Sequence, residues 1–134
     1  MFYSSFVKDR GPRGSHKNCS VVFTVWEKQH LSSEVFLNPN LDYLDFSGAD
    51  LREARFEGSS LCGCDFSGAD LRGTVFRDCD LRWARFDHAI FGDNCFRRSW
   101  LNGAEGITRS LFEYIRRCGG HFAYCLAKKY GVLL

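Results

Sequence analysis

An eight-residue run, Asp45-Phe46-Ser47-Gly48-Ala49-Asp50-Leu51-Arg52, returns unchanged as Asp65 to Arg72, so the chain copies itself with a period of twenty. A finer period of five lies inside it. From Phe36 onward every fifth residue is Phe or Leu: Phe36, Leu41, Phe46, Leu51, Phe56, Leu61, Phe66, Leu71, Phe76, Leu81, Phe86, Phe91, Phe96 and Leu101. A spacing of five suits neither a helix, whose faces recur at 3.6, nor a strand, whose faces recur at 2. A solenoid removes the conflict. If four five-residue sides make one coil, each large residue points inward and stacks on the residue twenty places later. The columns agree: Leu41, Leu61, Leu81 and Leu101 fall in one, and Phe46, Phe66 and Phe86 in another.

The place two residues before each large one is nearly always small: Ala49, Ala54, Ser59, Cys64, Ala69, Thr74, Cys79, Ala84, Ala89, Ser99 and Ala104, with Leu44 and Asn94 as exceptions. A short side turning a tight corner has room for one further inward group, and only a small one. The remaining places are mostly Asp, Arg, Glu, Ser or Gly, as an outer wall in water requires. Glycines 48, 58, 63, 68 and 73 recur with the pentads and are expected to serve corners.

These runs, above all Ala49-Asp50-Leu51-Arg52-Glu53 and Ala69-Asp70-Leu71-Arg72-Gly73, resemble the pentapeptide-repeat family over residues 36 to 104. The resemblance implies an all-β solenoid: a right-handed, four-sided parallel β-helix, here of about three to four coils, with a short α-helical C-terminal cap expected from the helical spacing beyond it. The expected divisions are a flexible N-terminal arm (1–18), a β-rich N-terminal cap (19–35), the β-helix (36–104) and a helical C-terminal cap (105–134). Some family members resemble B-form DNA and bind type II topoisomerases such as DNA gyrase. The resemblance therefore carries that alternative beside a non-enzymatic protein-interaction module or scaffold. A DNA mimic needs a long acidic rod. At ~4.8 Å per coil the regular part is only ~17 Å long, and Arg52, Arg72, Arg77, Arg82 and Arg97 interrupt its acidic character.

The net charge of +2 is unevenly spread, with 11 acidic and 8 basic side chains between residues 36 and 103. Neither end is basic enough for direct nucleic-acid binding to be expected, and Arg116-Arg117 and Lys128-Lys129 read as solvated faces. No apolar run reaches the ~18 residues of a membrane span and no signal-peptide order opens the chain, so a cytoplasmic protein with no membrane association is expected.

Seven cysteines without an even framework read as free thiols. Cys64 and Cys79 take the small inward place, whereas Cys62 and Cys95 take outward places. Cys118, His121 and Cys125 lack the four converging ligands of structural zinc, and His16, His30, His88 and His121 have no nucleophile or carboxylate at a diagnostic spacing. No metal, cofactor or catalytic residue is expected, and the chain reads as a non-enzyme.

Val21 to Trp26 alternate as a strand that could top the first coil, and Pro39 marks a corner. Beyond Leu101 the rhythm of five fails. Ile107, Leu111, Tyr114, Ile115 and Cys118 recur at helical spacing, Gly119-Gly120 breaks the helix, and Phe122, Cys125, Leu126 and Lys129 suggest a second one. The outer wall turns apolar at Ile90, Cys95 and Trp100 just before this change, so the helical segment is expected to cover the last coil, with Trp100 beneath it, or to pair two chains. A monomer or a C-terminally mediated homodimer follows. Trp83 is the exposed aromatic without such an explanation, and with Arg82 and Arg85 it is the candidate partner-facing patch.

Overall fold

The computed structural model describes residues 10–11, 15–17, 30–37 and 40–122. The expected strand at 21–26, the corner at Pro39 and the second helix after Phe122 lie outside the described residues. Strands β1 (Arg10–Gly11), β2 (Ser15–Lys17), β3 (Val35–Leu37), β4 (Arg55–Glu57) and β5 (Val75–Arg77) form one sheet in that order. The first pair is antiparallel and the rest are parallel, with Phe36 opposite Phe56 and Phe56 opposite Phe76. β1 and β2 fall within the stretch expected to be an arm, where the open edge of β3 takes a strand.

Isolated bridges carry the same step of twenty around the rest of the period: Asn40 to Ser60, Asp45 to Asp65, Asp50 to Asp70, and onward to Asp80, Arg85 and Ile90. The strands are short because the backbone turns at every fifth residue. At each described place of the series Ser33, Tyr43, Gly48 and so on to Gly103, φ lies between 52° and 74°. This left-handed conformation costs an L side chain roughly 1–2 kcal/mol and glycine almost nothing, which is why glycine recurs there. Many of these corners are closed by a turn bond, such as Ala49 N–H to Phe46 O at 3.0 Å and Ala69 N–H to Phe66 O at 3.0 Å.

The large residues fill the interior. Phe36, Phe46, Phe56, Phe66, Phe76, Phe86 and Phe96 are all buried, as are the leucines at 41, 51, 61, 71, 81 and 101. Leu31, five residues before Phe36 and in phase with it, is buried too, and its N–H donates to Asp50 O at 2.8 Å. Phenylalanines twenty apart stack nearly parallel, at 5.2 Å for Phe46 on Phe66 and 5.4 Å for Phe66 on Phe86. Neighbouring columns meet edge to face, as Phe56 meets Phe66 at 82°.

The small inward places have a second use. Thr74 Oγ1 donates to Leu51 O at 2.8 Å, Ser99 Oγ to Phe76 O at 2.9 Å, and Cys64 Sγ to Leu41 O at 2.9 Å, each reaching the carbonyl of a large residue one coil earlier. Asn94, an exception in the sequence, follows the same rule. Its Nδ2 donates to the carbonyls of Leu71 and Thr74, and its Oδ1 accepts from Gly92 N–H.

The last coil ends against helix α1 (Arg109–Arg117), whose N-cap Thr108 accepts from Leu111 N–H and whose last turn carries Arg116 and Arg117 at the negative end of the dipole. Phe112 and Ile115 are the buried helix residues, with Leu111 and Tyr114 beside them. Phe112 was not in the stripe expected from sequence. Phe112 lies three residues before Ile115 and so shares its face, while Ile107 is buried ahead of the N-cap. After the helix the chain folds back so closely that a Cβ on Gly120 would stand 2.5 Å from Ile115 Cγ2. It then pairs with the last coil, where Gly119 O accepts from Arg98 N–H and His121 O from Leu101 N–H. Phe91 is only partly buried, because the residue twenty places on, Leu111, belongs to α1 rather than to another coil.

Candidate protein-interaction surface

Trp83 occupies a left-handed corner (φ 64°), and its N–H is held by Asn102 O at 3.0 Å in the coil below. Its side chain cannot enter the core from there. The ring is laid along the wall instead. A Cβ on Gly103, one coil on, would collide with Trp83 Cε3 and Cζ3, so the ring fills the place where a side chain would stand. Tyr43, two coils earlier in the same column, does the same over Gly63, whose Cβ would stand 2.5 Å from Tyr43 Cδ1 and Cε1. The two rings remain 65% and 78% exposed. Tyr43 was not singled out from sequence, although the alternation Tyr43, Gly63, Trp83, Gly103 at steps of twenty carried the signal.

The two arginines beside Trp83 are held by carboxylates. Arg82 grips Asp80 with two bonds, Nε to Oδ1 at 2.8 Å and Nη2 to Oδ2 at 2.7 Å, as Arg52 grips Asp50 and Arg72 grips Asp70. Arg85 lies 3.5 Å from Asp87 and 3.5 Å from Glu105. The hydrogen-bonded arginine holds each carboxyl below its ordinary range: Asp50 at about 2, with Asp70 and Asp80 lowered in the same way. The patch around Trp83 is therefore aromatic with a compensated rim.

Trp100 departs from expectation. It is 52% exposed and, among the described residues, only its contact with the tilted His121 ring, at 4.8 Å and 31°, covers it from the C-terminal segment, because the place before a large residue faces outward and α1 docks on the coil end rather than on the wall. A hollow of about 460 Å³ opens between the last coil and α1, lined by Phe86, Phe91, Leu111 and Tyr114 among others. Cys64 and Cys79 are buried free thiols, both pushed up by burial, Cys79 to about 12. Cys62 is half-buried rather than fully outward, and burial followed by the Asp80 charge raises it.

Eight copies of the pentapeptide repeat are matched over residues 38–68, 54–93 and 64–103. This chain belongs to the pentapeptide-repeat family. Among solved structures it is similar to a pentapeptide-repeat protein from the Arabidopsis thaliana thylakoid lumen, at 29% identity over 73% of each chain with a TM-score of 0.46. It is also similar to one from the cyanobacterium Cyanothece 51142, at 19% identity over 66% of this chain and 68% of that one, with a TM-score of 0.39. QnrB1, a plasmid-mediated fluoroquinolone resistance protein, aligns at 15% identity over 87% of this chain and 85% of its own, with a TM-score of 0.32. A search of curated proteins finds no match.

In this pentapeptide-repeat chain no three His, Cys, Asp or Glu side chains among the described residues gather as a metal would require. No helix among them is long and apolar enough to cross a membrane.

Proposed function

We propose that this pentapeptide-repeat chain is a non-enzymatic protein-interaction module or scaffold, a right-handed four-sided β-helix of three to four coils closed below by its helical C-terminal segment. Four left-handed corners in every twenty residues support the four-sided shape. Cytoplasmic location, and a monomer or a homodimer through residues 105–134, belong to the same proposal. Trp83 carries it. A corner that glycine would fill without strain holds instead a large apolar ring, two-thirds exposed, and such rings are enriched where proteins meet.

The topoisomerase alternative asks for an acidic wall. Asp50, Asp70, Asp78 and Asp80 are each bound by an arginine, which works against that resemblance to DNA. Affinity capture from the source cell with wild type and Trp83→Ala, matched for melting temperature, tests the interaction reading. A partner retained by wild type and lost by the variant is expected, and equal retention by both would overturn the role of Trp83. Inhibition of gyrase supercoiling by the wild type would restore the alternative.

A further inference from the structure

The two rings on the wall repeat at a distance that selects a ligand. Tyr43 and Trp83 stand in one column, two coils apart, which at ~4.8 Å per coil is ~9.6 Å. A polyproline II helix has three residues per turn and a rise of ~3.1 Å, so its residues i and i+3 face one way every ~9.3 Å. An extended β-strand repeats its face every ~6.7 Å and does not match. Strand addition also needs an open backbone edge, and here the wall is closed: Tyr43, Gly63 and Trp83 N–H are held by Cys62, Arg82 and Asn102 carbonyls of the next coil. A polyproline II segment has no such need, because it recognises aromatic surfaces through ring packing and single hydrogen bonds to its carbonyls. The Tyr43 hydroxyl and the Trp83 indole N–H are donors for such bonds.

Charge sets the direction. At the Tyr43 end stand Asp42, Asp45 and Asp65. Asp42 accepts from Ser60 Oγ and Cys62 N–H of the next coil, Asp45 and Asp65 accept from Ser47 and Ser67 in their own turns, and no described cation lies within ion-pair distance of any of them. At the Trp83 end Arg82 and Arg85 are compensated by Asp80, Asp87 and Glu105. Three carboxylates without a described ion-pair partner thus stand on the Tyr43 side, whereas each of those beside Trp83 is already engaged by an arginine.

We propose that the Tyr43–Trp83 stripe binds a proline-rich polyproline II segment, prolines three apart resting on the two rings and a flanking Lys or Arg beside Asp42, Asp45 and Asp65. The proposal rests on the interaction reading above and names the partner chemistry for the same site. The test titrates the full chain into fluorescent peptides of ten residues: one with Pro-x-x-Pro and a flanking Arg, one with the prolines moved two apart, and one with Glu for Arg. Saturable binding of the first is expected, weakened at least about tenfold by either peptide change and by Trp83→Gly or Tyr43→Gly. Glycine already occupies this corner at positions 63 and 103, so both variants suit the backbone. Asp42→Asn with Asp45→Asn should weaken only the Arg peptide. Equal binding of all three peptides, no binding of the first, or preference for a cello-oligosaccharide over it would overturn the proposal. A cellular partner lost on Trp83→Ala together with peptide failure would leave the interaction reading standing and remove only the proline-rich ligand.

Discussion

Inside the coil, Phe46, Phe66 and Phe86 follow one another at every turn, ring on ring. At the corner outside, Tyr43 and Trp83 alternate with Gly63 and Gly103. The difference is one of confinement. An interior ring has neighbours on both sides that hold it parallel to the next, so one ring fits each coil height and packing is complete. A ring on the wall has nothing to hold it upright, lies down over the coil below, and requires that the residue there have no side chain. Stability resides in the first ladder, whereas the second exposes apolar area that the fold does not use.

Labelling rates should separate inside from outside most widely. Cys64 and Cys79, buried and with raised pKa, are expected to react with a maleimide about a hundredfold more slowly than unfolded cysteine, and Cys62 at an intermediate rate, read by mass mapping. Cys64 labelled ahead of Cys62 would invert the two walls. Phe66→Ala should lower unfolding free energy by about 3–5 kcal/mol in urea, since it empties the middle of a stack. A loss no larger than that of Asp65→Ala would break the comparison.

Gly103→Ala joins the ladders' rules in one position. It places a methyl at a left-handed corner and under the Trp83 ring, and should cost about 1–2 kcal/mol. The indole emission should also shift to the red in a background carrying Trp26→Phe and Trp100→Phe, and an unchanged spectrum would mean that the ring does not rest on Gly103.

A smaller effect comes from the outer Asp–Arg pairs. Their folded pKa values lie below those of unfolded aspartate, near 3.9, so the stabilisation is fully present above that value. It is lost as pH falls towards about 2, the folded value for Asp50. Asp50→Asn should flatten the acid limb of the melting curve between these limits, and an unaltered limb would mean that the pair does not persist in solution. Least affected should be Trp83→Gly, whose unfolding free energy should stay within about 1 kcal/mol of wild type. A loss like that of Phe66→Ala would make the outer ladder structural.

Much of the fold was legible because each pentad repeats the same local instruction. The burial of Phe66, the corner at Gly68 and the thiol of Cys64 follow from counting by five. Leu31 was equally in phase, but the neighbouring pentads that would have confirmed it are missing upstream. Phe112 was missed because a nine-residue helix has too few turns to reveal the full width of its buried face, and Trp100 was misplaced because nothing in one dimension says which side of the coil α1 approaches.

The sequence by itself determined the period, the coil of twenty residues and the inward column, because in a solenoid each large residue meets its own kind at a constant separation along the chain. Only the tertiary structure decided the character of the surface. Arg82 and Arg85 look cationic in sequence and are compensated in space. Tyr43 and Trp83 share a column by counting twenties, but only in space do their rings lie down over Gly63 and Gly103. Burial repeats with the backbone, but the direction of a long side chain on an open wall depends on which charge or which bare glycine lies within reach one coil away.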